Sequence, residues 1–170
     1  IEDATKKYSG QVVRLSLLSA QYKQPLDWNN ELLTEQSKTL DKWYSMYSSE
    51  VSEKTPDCFN DLLDDMNTPL YISKLHELFQ KSQSGDKDKK KEFNKACRLI
   101  GLFYETNEKR AEYKKSKVKI SEDIILNKIK DRDDAKKKGD YKLADKIRDD
   151  LSKEGIELKD EKGKTTWNYK

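Results

Sequence analysis

Residues 121–155 run SEDIILNKIKDRDDAKKKGDYKLADKIRDDLSKEG, and the fold turns on how that stretch divides. Ser121 with Glu122 and Asp123 supplies a helix cap and first-turn acids ahead of Ile124, Ile125, Ile129 and Ala135. Gly139 breaks that helix. Asp140 can cap a second one through Leu143, Ala144, Ile147 and Leu151, until Gly155 ends it as the residue just past the last turn. The two form a helical hairpin. Beyond it, Ile156-Glu157-Leu158 and Thr165-Thr166-Trp167 alternate on either side of Asp160-Glu161-Lys162-Gly163, which predicts a small β-hairpin. An isolated hairpin is marginal, so Ile156, Leu158 and Trp167 are expected to pack on the helix pair.

Upstream the spacing is helical throughout. Val12, Val13, Leu15, Leu17, Leu18 and Tyr22 make an apolar face over residues 11–22, closed before Pro25. Asn29 or Asn30 can cap the next helix, whose apolar positions run from Leu32 to Val51 and stop near Thr55-Pro56. Asp57 opens a short helix through Met66, and Asn67-Thr68-Pro69 caps one carrying Leu70, Ile72, Leu75, Leu78 and Phe79. Residues 81–90 form an exposed connection, followed by a helix from Phe93 through Phe103. Between 107 and 119, six Lys/Arg outnumber Glu108 and Glu112, a segment charge of +4. The expected organisation is a helical bundle over 1–106, a basic linker over 107–120 and a small domain over 121–170.

Composition agrees with a mainly α chain. Among 170 residues are only three Pro and six Gly, 39% are charged, and mean hydropathy is −1.09. Thirty-five Lys/Arg nearly cancel 32 Asp/Glu, so the charge of +3 fits a folded chain with large solvated faces rather than a disordered one. No apolar run approaches the roughly 18 residues that cross a bilayer, and no membrane partner is expected. Cys58 and Cys97 lie 39 residues apart without a CxxC, which predicts two reduced thiols in a cytoplasmic protein. The Ile at position 1 suggests a piece of something longer.

No nucleophile–base pair, metal set or phosphate loop stands at recognisable spacing, so no catalytic and no metal-binding residue is predicted. His76 reads as a helix-surface or interhelix residue. The acid runs Asp61, Asp64, Asp65 and Asp131, Asp133, Asp134 are explained by solvated faces paired with Lys or Arg. More suggestive is the terminal helix pair, where Arg132, Lys136, Lys137, Lys138, Lys142, Lys146 and Arg148 are interleaved with Tyr141 and followed by Trp167 and Tyr169. Cations can hold phosphates while rings stack on splayed bases, and a carboxylate such as Asp145 can accept from a base amino group. Five aspartates dilute that charge, so spacing alone leaves RNA contact and a merely solvated helix pair both open.

Four blocks together resemble the C-terminal half of the cysteinyl-tRNA synthetase family. They are Tyr8 with Val12-Val13-Arg14, Leu17-Leu18-Ser19-Ala20-Gln21-Tyr22 and Pro25-Leu26-Asp27-Trp28; the run from Phe59 to Pro69, similar to the signature F..AMDDDFNTP; Arg132 to Asp149; and Gly155 to Trp167, similar to GI.LED...GT.W. The resemblance implies a DALR-type bundle of the class Ia aminoacyl-tRNA synthetases, followed by an anticodon-binding domain. It implies tRNA(Cys) as partner, no DNA and a monomer. ATP and zinc would belong to the parent enzyme, a cysteine-attaching ligase whose catalytic domain precedes this region, and no cofactor to the fragment. In that family an aromatic, an aspartate and an arginine on the last helix pair read the GCA anticodon. By motif they fall on Tyr141, Asp145 and Lys136, although the family commonly has Trp or Phe at the first and Arg at the third. Arg132 and Trp167 join them as anticodon-binding candidates, Trp167 with packing under the hairpin as its alternative. Arg14, Lys114, Lys115 and Lys117 are candidates for the tRNA backbone, Arg14 with a structural ion pair as its alternative. A helical protein-interaction module and a non-specific RNA-binding module stand beside this reading.

Overall fold

The computed structural model describes residues 2–161 and 164–169 and divides the chain into two compact units, Ile1–Thr106 and Asn107–Lys170. No helix among the described residues is long and apolar enough to cross a membrane.

Unit 1 contains α1 (Glu2–Lys7), α2 (Gly10–Leu18), α3 (Asn30–Tyr44), α4 (Phe59–Leu63), α5 (Thr68–Ser82) and α6 (Lys87–Leu99). Side-chain oxygens of Ser9, Asn29, Asn67 and Asp86 cap α2, α3, α5 and α6 by accepting from first-turn N–H groups. The buried faces meet in an aromatic centre. Phe93 takes the edge of Trp43 at 5.8 Å and packs on Phe79 and Phe103, while Tyr44 tilts onto Phe103 at 4.6 Å. His76 sits against Trp43 at 5.0 Å, an interhelix position as expected. Cys58 and Cys97 are both buried, and burial pushes both thiols above their ordinary range.

Three helices end earlier than their apolar spacing suggests. α2 stops at Leu18, where the Ser16 and Ser19 hydroxyls donate to the carbonyls of Val12 and Ser16. α3 stops at Tyr44 because Asn94 takes over the next backbone, donating to the Met46 carbonyl and accepting from the Ser48 N–H, both at 2.8 Å. α6 stops at Leu99 because Gly101 and Phe103 adopt positive φ, 74° and 58°. The Phe103 N–H donates at 2.8 Å to Oε1 of Gln11, a fully buried side chain that also donates to Tyr44 Oη and Glu105.

Unit 2 contains α7 (Asn107–Lys117), α8 (Glu122–Lys137), α9 (Tyr141–Lys153), β1 (Ile156–Glu161) and β2 (Lys164–Tyr169). The stretch expected as a linker over 107–120 is therefore helical through Lys117 and belongs to this unit. Its apolar residues explain why: Val118 and Ile120 pack on the core of Ile125, Ile129, Leu151, Ile156 and Leu158, and Lys115 pairs with Glu122 at 2.7 Å. Ser121 and Asp140 cap α8 and α9 as their sequence context requires. Gly155 has φ +85°, and a Cβ there would come within 3.3 Å of Val118, so the turn into β1 is made for glycine. The strands are antiparallel, with Leu158 opposite Trp167 and Asp160 opposite Thr165. Lys162 and Gly163 of the expected turn lie outside the described residues.

Candidate nucleic-acid surface

Unit 2 is the basic half of the chain. It carries 20 Lys/Arg against 15 Asp/Glu, whereas unit 1 carries 15 against 17. A polyanion is attracted to the first and not to the second.

Tyr141 opens α9 and is 67% exposed. Asp145 follows one turn later, on the same face of α9, and is also exposed. On α8, Arg132 and Lys136 are likewise one turn apart, and both reach the same carboxylate, Asp160 of β1. Arg132 grips it with two parallel bonds, Nη1 to Oδ1 at 3.0 Å and Nη2 to Oδ2 at 2.8 Å; Lys136 Nζ adds a third at 3.1 Å and the Thr165 hydroxyl a fourth at 2.8 Å. Asp133 lies within reach of the same hydroxyl at 3.2 Å. Asp160 is thereby held far below the usual carboxylate range, chiefly by Arg132 and then by Thr165 and Lys136. Arg132 is raised in turn, first by Asp160 and also by the charges of Asp133 and Asp145. The charge of Asp145 on α9 thus reaches Arg132 on α8. A cleft of about 530 Å³ elsewhere between α8 and α9 is lined by other residues, including Lys128, Asp131, Leu143, Ile147 and Asp150.

The predicted residues therefore separate. Tyr141 and Asp145 are exposed, Lys136 is half-buried and bonded to Asp160, and Arg132 is closed off, its side chain 3% exposed and committed to Asp160. Trp167 is half-buried, packed on the unit 2 core and set edge-on to Tyr169 at 5.1 Å. Of the backbone candidates, Lys115 is paired with Glu122, Lys117 lies over the Tyr113 ring at 5.2 Å and Lys114 is half-buried. Among the described residues Arg14 forms no ion pair; its exposed side chain lies across Gly101, within 3.3 Å of where a Cβ would stand.

Asp160 was not among the predicted site residues, although two periodicities point to it. It shares a strand face with Ile156 and Leu158, and Arg132 shares a helix face with Ile125 and Ile129, so an acid and a base project from two inward faces. Among the described residues no group of three or more His, Cys, Asp or Glu side chains stands close enough to hold a metal ion.

No family model matches the sequence. Individual proteins do. A cysteine–tRNA ligase of Pelagibacter ubique is 43% identical over 172 residues, covering 100% of this chain and 38% of the relative. The chain is homologous to cysteine–tRNA ligases. The enzyme of that name from Xanthobacter autotrophicus is 34% identical across 98% of this chain and 38% of its own length, and that from Rickettsia bellii 34% across 95% and 36%. The chain thus spans little more than a third of these cysteine–tRNA ligases, in their C-terminal region.

Proposed function

We propose that this chain is the tRNA-binding, anticodon-recognising part of a cysteine–tRNA ligase, acting by recognition and not by chemistry of its own. The observation that carries the proposal is the presence, within the basic unit, of an exposed ring and carboxylate one turn apart on α9, Tyr141 and Asp145, and of a partly exposed cation–carboxylate pair, Lys136 of α8 with Asp160 of β1. Stacking on an aromatic ring contributes about 1–3 kcal/mol per base and tolerates any base. Choice among bases then falls to Asp145 and Asp160, which accept from exocyclic amino groups, and to Lys136, which donates to ring or carbonyl acceptors. The lysines of α7 and Arg14 would hold phosphates. Binding at this end would orient the acceptor end of tRNA(Cys) toward an active site carried by the rest of the ligase, where ATP and zinc would act, in a cytoplasmic monomer.

The test is a titration of the chain with tRNA bearing GCA and with the same tRNA bearing another anticodon, at two salt concentrations. The GCA form should bind at least tenfold more tightly, both affinities should fall steeply with salt, and Asp145→Ala should erase most of the difference. Equal binding of the two tRNAs by the unmutated chain would leave a non-specific RNA binder, and no salt-dependent binding would leave a protein-interaction module.

A further inference from the structure

Asp160 is exposed enough to meet a ligand, its side chain being 47% accessible, yet its acceptor capacity is already full. A carboxylate offers about four lone-pair positions. Here Oδ1 accepts from Arg132 Nη1 and the Thr165 hydroxyl, and Oδ2 accepts from Arg132 Nη2 and Lys136 Nζ. For an incoming amino group to be accepted, one of these donors has to leave.

The four differ in how easily they can. Arg132 has 3% of its side chain accessible, its Nε is buried without a partner among the described residues, and releasing Asp160 would leave a buried guanidinium uncompensated. Thr165 is fixed opposite Asp160 by the strand register. Lys136 holds by a single 3.1 Å bond, with 36% of its side chain accessible, at the last turn of α8. Its flexible stem lets the ammonium swing to water or to a phosphate at little cost.

We propose that Arg132 is the positioning residue of the decoding surface and Lys136 its exchangeable counterpart. Arg132 and Thr165 fix the plane of the Asp160 carboxylate from behind. Lys136 occupies the outward lone pair in the free protein and yields it to an amino group of a nucleobase, its own charge passing to the same RNA. No bond is made or broken in this exchange; one hydrogen-bond donor replaces another. Selectivity follows from orientation: a carboxylate held in one plane accepts from an amino group at one angle, whereas a freely rotating one accepts from many. The inference rests on the anticodon-reading proposal above.

Arg132→Lys keeps the charge and removes the two-pronged grip. It should lower the preference for the GCA tRNA at least tenfold while changing affinity for the other tRNA less than twofold. Asp160→Asn should do the same, and the double variant should lose no more than either alone. Thr165→Val removes one rear donor and should lower the preference about threefold, which keeps the test open if Arg132→Lys fails to fold. In nitrogen-15 spectra of the side chains, the Lys136 ammonium signal should shift on adding GCA tRNA, while the Arg132 guanidinium signals persist. An unchanged preference in Arg132→Lys and Thr165→Val, or an equal loss for both tRNAs, would overturn the positioning role. A Lys136 signal that does not move would overturn the exchange. A wild-type chain that shows no preference would instead defeat the anticodon reading itself.

Discussion

Unit 1 gathers nineteen buried apolar residues into one core, and unit 2 gathers five. Each fully buried large aliphatic or aromatic side chain contributes about 1.5–3 kcal/mol, so the first unit can be held by packing while the second has little to draw on. Unit 2 makes up part of the shortfall with the cluster of Arg132, Asp160, Thr165 and Lys136. Ion clusters of this kind fix geometry better than they add stability. The lesson of the contrast is that the groups bracing the smaller unit include those proposed to meet a ligand, whereas in the larger unit the buried aromatic centre sets the shape apart from the surface.

The sharpest way to separate the two is to damage the aromatic centre. Trp43→Ala should cost unit 1 about 3–5 kcal/mol, seen as an earlier urea transition in the helical signal, while Trp167 fluorescence, read in a Trp28→Phe background, reports an unmoved transition in unit 2. A single shared transition would mean that the units unfold together and that the contrast in cores does not govern stability. A smaller effect, about 2 kcal/mol, is expected from Gln11→Leu, which strands the buried Phe103 N–H and removes one partner of the Tyr44 hydroxyl; thermal unfolding of the variant against wild type measures it. The smallest concerns acid. Because the Asp160 carboxyl is held below its ordinary range, the folded chain binds that proton less readily than the unfolded chain. The resulting stability is complete above an ordinary carboxylate pKa of about 4 and is lost as pH falls below it. Unit 2 should therefore weaken on acidification from about pH 4 downward, and Asp160→Asn should flatten that slope; a half-exposed carboxylate keeps the effect modest.

The starts of α3, α5, α8 and α9 were legible, because caps are local: Asn67, Ser121 and Asp140 announce themselves within three residues, whereas α6, capped by Asp86, and α7 begin inside stretches whose lack of apolar residues read as connections. Helix ends were less so. Tyr47 and Val51 continue the spacing of α3, and only Asn94, 48 residues from Met46, reveals that the backbone has left the helix. Likewise nothing near Phe103 signals that Gln11, 92 residues away, holds its N–H. The candidate surface divides in the same manner. Tyr141 and Asp145 were readable from their own helix, whereas the burial of Arg132 depends on a strand 28 residues further on. A cation in a polar helix looks solvated until its distant partner is known.

The two buried thiols have a practical consequence. Thiolate is the species that reacts with maleimides, and Cys58 and Cys97 are both shielded and biased toward the protonated form. A cysteine introduced at exposed Lys142, beside Tyr141, would consequently be the preferred attachment point for a dye in the folded chain, with the native sulfurs left in place. Colour could then follow the tip of α9 alone.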